Sequence, residues 1–160
     1  MIICEFVSIS KTIPENGQRI NILFNRQIRI CEEDYMTDNN LIKDYLLSFA
    51  VTQTTDYQIK SSVAKHNRAM NKCRKIATEI QTNYPELKES FADLLNKEPE
   101  MSLLVAHHIV EVMQYPDNIK SKALSIIKEK SKEESTVGLG NKMWLKDYLQ
   151  AHPKDKKLIR

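Results

Sequence analysis

The sequence predicts an all-α protein of about six helices, arranged as a curved stack of antiparallel helical hairpins. Three observations lead there. From Asp38 onward, apolar residues recur at three- and four-residue steps, framed by capping residues and prolines. Only 3 Gly and 5 Pro occur in 160 residues, too few to punctuate a many-stranded sheet or to build phosphate-cradling loops. One segment, Glu100 to Tyr115, is apolar around most of its circumference and therefore asks to be covered on two sides. A plain helical bundle is the second architecture compatible with the pattern. The length suits one hydrophobic core.

Residues 1–36 stand apart. Ile2 to Ile9 and Arg19 to Ile30 are rich in β-branched residues, and Pro14-Glu15-Asn16-Gly17 between them is a turn signal, so a short N-terminal β-hairpin is one reading. The other is a translation start at Met36, since Glu32-Glu33-Asp34 can be encoded by a purine-rich ribosome-binding stretch. The helical domain is expected over residues 37–150, followed by a basic tail, residues 151–160, with Lys154, Lys156, Lys157 and Arg160.

The helices follow in order. Thr37 or Asp38 caps the first, which carries Leu41, Ile42, Tyr45, Leu46 and Phe49 on one face until Thr52 to Asp56 breaks it. The second runs from Tyr57 to Tyr84, with Ile59, Val63, His66, Met70, Cys73, Ala77 and Ile80 forming a seam expected to face inward along its whole length. Pro85 ends that helix and opens a third, in which Leu87, Phe91, Leu94 and Leu95 precede Pro99. In the helix from Glu100 to Tyr115 the polar strip is narrow: Glu100, His107, Glu111 and Gln114. Asp117 caps the fifth helix, with Ile119, Ala123, Leu124, Ile126 and Ile127 inward. The last is expected from about Gly140 to Gln150, with Met143, Trp144, Leu145, Tyr148 and Leu149; Gly138 to Lys142 reads as a turn into it.

Composition excludes several function classes. Cys4, Cys31 and Cys73 form no close pair, so neither a disulfide framework nor a CxxC site is expected, and a reducing, cytoplasmic setting follows. The apolar run Met1 to Ile9 is interrupted by Glu5 and lacks a basic leader, and no stretch approaches the ~20 apolar residues of a membrane helix. A net charge of +3 does not by itself imply nucleic acid. No Ser-His-Asp, Cys-His or paired-carboxylate arrangement stands out, so no enzyme and no cofactor are expected.

The segments Phe49-Ala50, Lys65-His66-Asn67-Arg68, Leu94-Leu95, Leu104-Val105-Ala106-His107-His108, Tyr115-Pro116, Lys122-Ala123-Leu124-Ser125-Ile126-Ile127, Gly138 and Trp144-Leu145 carry a family likeness over Leu41 to Leu149. Together they resemble the bacterial domain-of-unknown-function family numbered two thousand and nineteen. That resemblance implies a HEAT-like or armadillo-like helical repeat. It brings no established activity and points to protein-binding modules, immunity and antitoxin-type proteins among them.

The most informative local pattern is a basic ladder. Lys65, Arg68, Lys72 and Lys75 step by three, four and three, with Lys60 and Arg74 nearby, and no acidic residue lies between Tyr57 and Thr78. Aligned like charges repel, so something compensates them. One answer is solvent together with Glu86, Glu89 and Asp93 on the next helix; the other is an acidic protein partner docked on a face opposite the apolar seam. Nucleic acid fits less well because few aromatic residues lie beside the ladder to stack on bases. A second surface is expected near His107 and Glu111, one turn apart. With His108 these could offer metal ligands, the alternative being a metal-binding enzyme or sensor, although no third ligand or supporting shell is evident. His66 and His108 read as hydrogen-bonded core histidines and Cys73 as an inert buried thiol.

Overall fold

The computed structural model describes residues 40–159, and the fold is all-α. The N-terminal hairpin and the start at Met36 lie outside the described residues. Helix α1 covers residues 40–53. It turns Tyr45, Ser48, Phe49 and Thr52 inward, the three- and four-residue spacing of one helical face. Its end is written in threonines: Thr52 Oγ1 donates to Phe49 O at 2.6 Å and Thr55 Oγ1 to Thr52 O at 2.9 Å. The Thr55 hydroxyl occupies one of the carbonyls that the last helical turn leaves without partners, and the Thr52 hydroxyl bonds back onto its own helix.

Helix α2, Lys60–Asn83, buries Ala69, Cys73, Ile76, Ala77 and Ile80. The seam expected to face inward throughout does so only from Ala69 onward. Val63, His66 and Met70 are partly covered and Ile59 is exposed, because the connection after α1 is what lies beside these first turns. Thr55 Oγ1 meets His66 Nδ1 at 3.0 Å there, and the Tyr57 ring lies 5.8 Å from that imidazole. Tyr84, turned out of the helical region before proline, ends the helix.

The third segment is more broken than its periodicity suggests. A 3-10 turn, Pro85–Leu87, leads into a short α3, Lys88–Asp93, and a second 3-10 turn, Leu94–Asn96. Phe91 from α3 packs edge-on against Tyr45, with ring centroids 5.0 Å apart. Helix α4, Pro99–Glu111, starts with proline at its first position and is the centre of the fold. Met101, Val105, Ala106, Ile109 and Val110 are all buried, and the helix contacts α1, α2, α5 and α6. Fully burying one such Val, Ile or Met side chain is worth roughly 1.5–3 kcal/mol, so this helix anchors the core. Helix α5, Asp117–Lys130, packs Ala123, Leu124 and Ile127 against it.

Helix α6 is Thr136–Ala151, a full turn longer at its start than the sequence pattern indicates. Ser135 caps it, its Oγ accepting from Gly138 N at 3.0 Å. The two glycines read as a turn are therefore helical. Gly138 is required by crowding, because a Cβ there would lie 2.1 Å from the Glu133 carbonyl oxygen, whereas Gly140 faces open space. The basic tail is also structured: Pro153–Leu158 forms a 3-10 helix, Leu158 is buried and its carbonyl accepts from Ser121 Oγ at 2.6 Å. Among the described residues no helix is long and apolar enough to cross a membrane.

The two glycines give opposite predictions. Gly138→Ala should lower the unfolding free energy by about 1–3 kcal/mol through overpacking. Gly140→Ala should raise it by about 0.5–1 kcal/mol, since a helical glycine with free space only costs entropy. Urea titration of both variants checks the pair, and equal responses would contradict the close approach at Glu133.

Candidate functional site

The polar strip of α4 is not an open surface. Glu111 receives three neighbours: Arg74 Nη1 from α2 at 2.5 Å, Trp144 Nε1 from α6 at 2.8 Å and His107 Nδ1, one turn back, at 3.8 Å. His107, the Arg74 guanidinium and the Trp144 indole N–H hold the carboxyl down to about 2, against the opposing effect of burial. Of the three, Arg74 supplies the permanent charge, since His107 makes an ion pair only when protonated. His107 Nε2 lies 2.8 Å from Asn141 Oδ1, and Asn141 in turn donates to Val137 O at 2.8 Å. The indole of Trp144 covers the site, edge to face with His107 at 4.5 Å and stacked on Tyr148 at 5.0 Å. Where the spacing of His107 and Glu111 points to a second surface, the geometry is a clasp joining α2, α4 and α6.

His108 points the other way. It is buried, and its Nδ1 lies 2.8 Å from the hydroxyl of Tyr45. Burial, with the Arg74 charge adding, lowers its pKa to about 4, and burial pushes the Tyr45 phenol well above its ordinary value. The phenol therefore donates and the neutral imidazole accepts, which places the ring proton on Nε2. Cys73 completes this layer, its thiol 3.7 Å from Tyr45 O and pushed up to about 11 by burial, so it is an inert packing group. The three residues considered as metal donors thus diverge, His107 and Glu111 into the clasp and His108 into the core. Among the described residues no group of three or more His, Cys, Asp or Glu side chains is placed to hold a metal ion.

The basic ladder borders the buried face of α2 rather than lying opposite it: Ala69 and Ile76, which directly follow Arg68 and Lys75, are buried. Compensation comes from helices other than the one expected. Lys72 Nζ pairs with Asp44 Oδ2 of α1 at 3.0 Å, and Arg74 with Glu111 of α4. Glu86, Glu89 and Asp93 make no ion pair with the ladder. Lys65, Arg68 and Lys75 are exposed and have no ion pair among the described residues.

Helices α1 and α2 run antiparallel, since Asp44 and Tyr45 meet Lys72 and Cys73 while Thr55 meets His66. Leu47 and Val51 share the Asp44 face of α1, three and seven residues on, and are 57% and 42% exposed. Stepping back from Lys72 along α2 reaches Arg68 and Lys65. An exposed apolar strip and a set of uncompensated cations therefore lie side by side on one hairpin. Sequence periodicity placed the cations but missed the apolar strip, because Leu47 and Val51 fall outside the face formed by Leu41, Ile42, Tyr45, Leu46 and Phe49. Comparison with protein-family models, with curated proteins and with solved structures finds no match.

The two titrating groups predict the acid response. Unfolded His108 takes up a proton near its ordinary 6.5 and folded His108 only near 4, so stability falls as pH drops through that interval. Folded Glu111 resists protonation down to about 2 against an ordinary 4.5, so its contribution is present above 4.5 and lost as pH falls toward 2. Denaturant titrations at stepped pH should show both arms. His108→Gln should flatten the upper arm and Glu111→Gln the lower; an upper arm that survives His108→Gln would refute the assignment.

Proposed function

We propose that this protein is a binding module whose α1–α2 hairpin receives an acidic surface of another protein. The observation that carries this reading is the selective compensation of the ladder. Lys72 and Arg74 are tied to carboxylates within the fold, while Lys65, Arg68 and Lys75 remain exposed without an ion pair among the described residues. With Lys60, also exposed and without an ion pair among the described residues, four unneutralised cations on one helix raise the local potential and steer an acidic partner toward it. Leu47 and Val51 beside them supply the apolar area that charge alone lacks, since durable interfaces bury a non-polar centre within a polar rim. His107 and Glu111 of the α4 strip are engaged in the clasp, so their polar groups are not free for recognition.

Charge reversal tests the reading. The full chain and its Lys65→Glu/Arg68→Glu variant, immobilised separately, are offered the same cell lysate with and without nuclease treatment, at low and high salt. The wild type should recover a protein in near-equal amount, and the variant should recover about tenfold less, as expected for losing about 1.4 kcal/mol of charge complementarity. Circular dichroism should be unchanged, because neither residue makes an ion pair within the fold. Equal recovery by both chains would remove the ladder from the account. Recovery that vanishes with nuclease treatment would assign the cations to nucleic acid.

A further inference from the structure

Between the first turns of α4 and the outer side of α5 runs a groove of about 500 Å³, walled by the 3-10 turn Leu94–Asn96. Leu95, Leu103 and Ile126 line its middle. Its wall is braced from within: the buried Ser102 hydroxyl lies 3.0 Å from both Leu95 O and Lys97 O, which holds the turn against α4. This size and mostly apolar lining, with a few polar groups at the edges, are the attributes of a small-molecule site.

The groove is electrically lopsided. At its far end Glu129 and Glu133 are each occupied, by Lys132 at 2.7 Å and Lys130 at 2.9 Å. At the near end stand Lys97 and Lys122. The Lys122 ammonium reaches the neutral Asn96 Oδ1, on the residue next to Lys97 in the chain, at 2.5 Å, and neither groove lysine has a carboxylate partner among the described residues. Moving along α5 from Lys122 through Ile126 to Lys130 therefore passes from two uncompensated cations, over apolar side chains, to an end whose charges are internally balanced.

We propose that this groove binds a small amphipathic anion, a carboxylate carried on an unbranched apolar chain, with its head between Lys97 and Lys122 and its tail along Leu95, Leu103 and Ile126. Head and tail are matched by different residues, so they can be separated experimentally. The probes are decanoate, decanol and decyltrimethylammonium, each kept below its micelle concentration and titrated into the full chain while methyl NMR signals are followed.

Decanoate should bind saturably at one site, shifting the Leu103 and Ile126 methyl signals, and about tenfold more tightly than decanol, the ratio expected of a charge-assisted head contact. The cationic probe should be weaker than either. Lys97→Gln/Lys122→Gln should remove the preference for decanoate over decanol and leave decanol binding unchanged, while Leu103→Ser should weaken both. Equal affinities for decanoate and decanol on the wild-type chain, shifts confined to other residues, or no saturation would each overturn the proposal. The wild-type comparison stands even where a variant fails to fold. The Lys65→Glu/Arg68→Glu chain should bind decanoate normally, so this test and that of the α1–α2 hairpin fail independently.

Discussion

A helix that is apolar on nearly every side cannot sit at a surface, and α4 is such a helix. Met101, Val105, Ala106, Ile109 and Val110 leave it without a face that water could cover cheaply, so neighbours must surround it. The few polar groups it does carry then become obligations, because a polar atom enclosed without a partner costs about 1–3 kcal/mol. His108 is met by Tyr45 from α1, Glu111 by Arg74 and Trp144, and His107 by Asn141. Among the described residues no buried side-chain nitrogen or oxygen lacks a partner. Helices α1, α2 and α6 are thus located twice against α4, once by apolar contact and once by a specific hydrogen bond.

This organisation explains what can be read from the residues in order and what cannot. Helix limits at Tyr84-Pro85 and Pro99 are legible because proline acts on its immediate neighbours. The central position of α4 is legible because it follows from the composition of one segment. The start of α6 is not, because the reason for Gly138 is the carbonyl of Glu133 folded back against it, and local propensity sees only a helix-breaking residue. Ser135 is the one local sign of the true start.

The fate of the basic ladder is illegible for a similar reason. Its carboxylates, Asp44 and Glu111, lie 28 and 37 residues away in sequence, whereas the acids nearest in the chain point elsewhere. The candidate surfaces consequently shift from where spacing alone puts them. His107 and Glu111 pass from a prospective site to a fastening between helices, and the α2 cations divide into two that are paired and four, Lys60, Lys65, Arg68 and Lys75, that have no ion pair among the described residues. Exposed Leu47 and Val51 enter the picture only when the partners of α1 are known.

The clasp over Glu111 also makes the molecule self-reporting. Trp144 is the one tryptophan in the chain, and it lies against an imidazole, a phenol and a carboxylate contributed by α4 and α6. Its emission therefore comes from a single, defined position. Any event that lifts α6 from α4 exchanges the carboxylate for water at the indole nitrogen and removes the imidazole quencher from its face. The seating of one helix on another can thus be followed optically in the unlabelled protein.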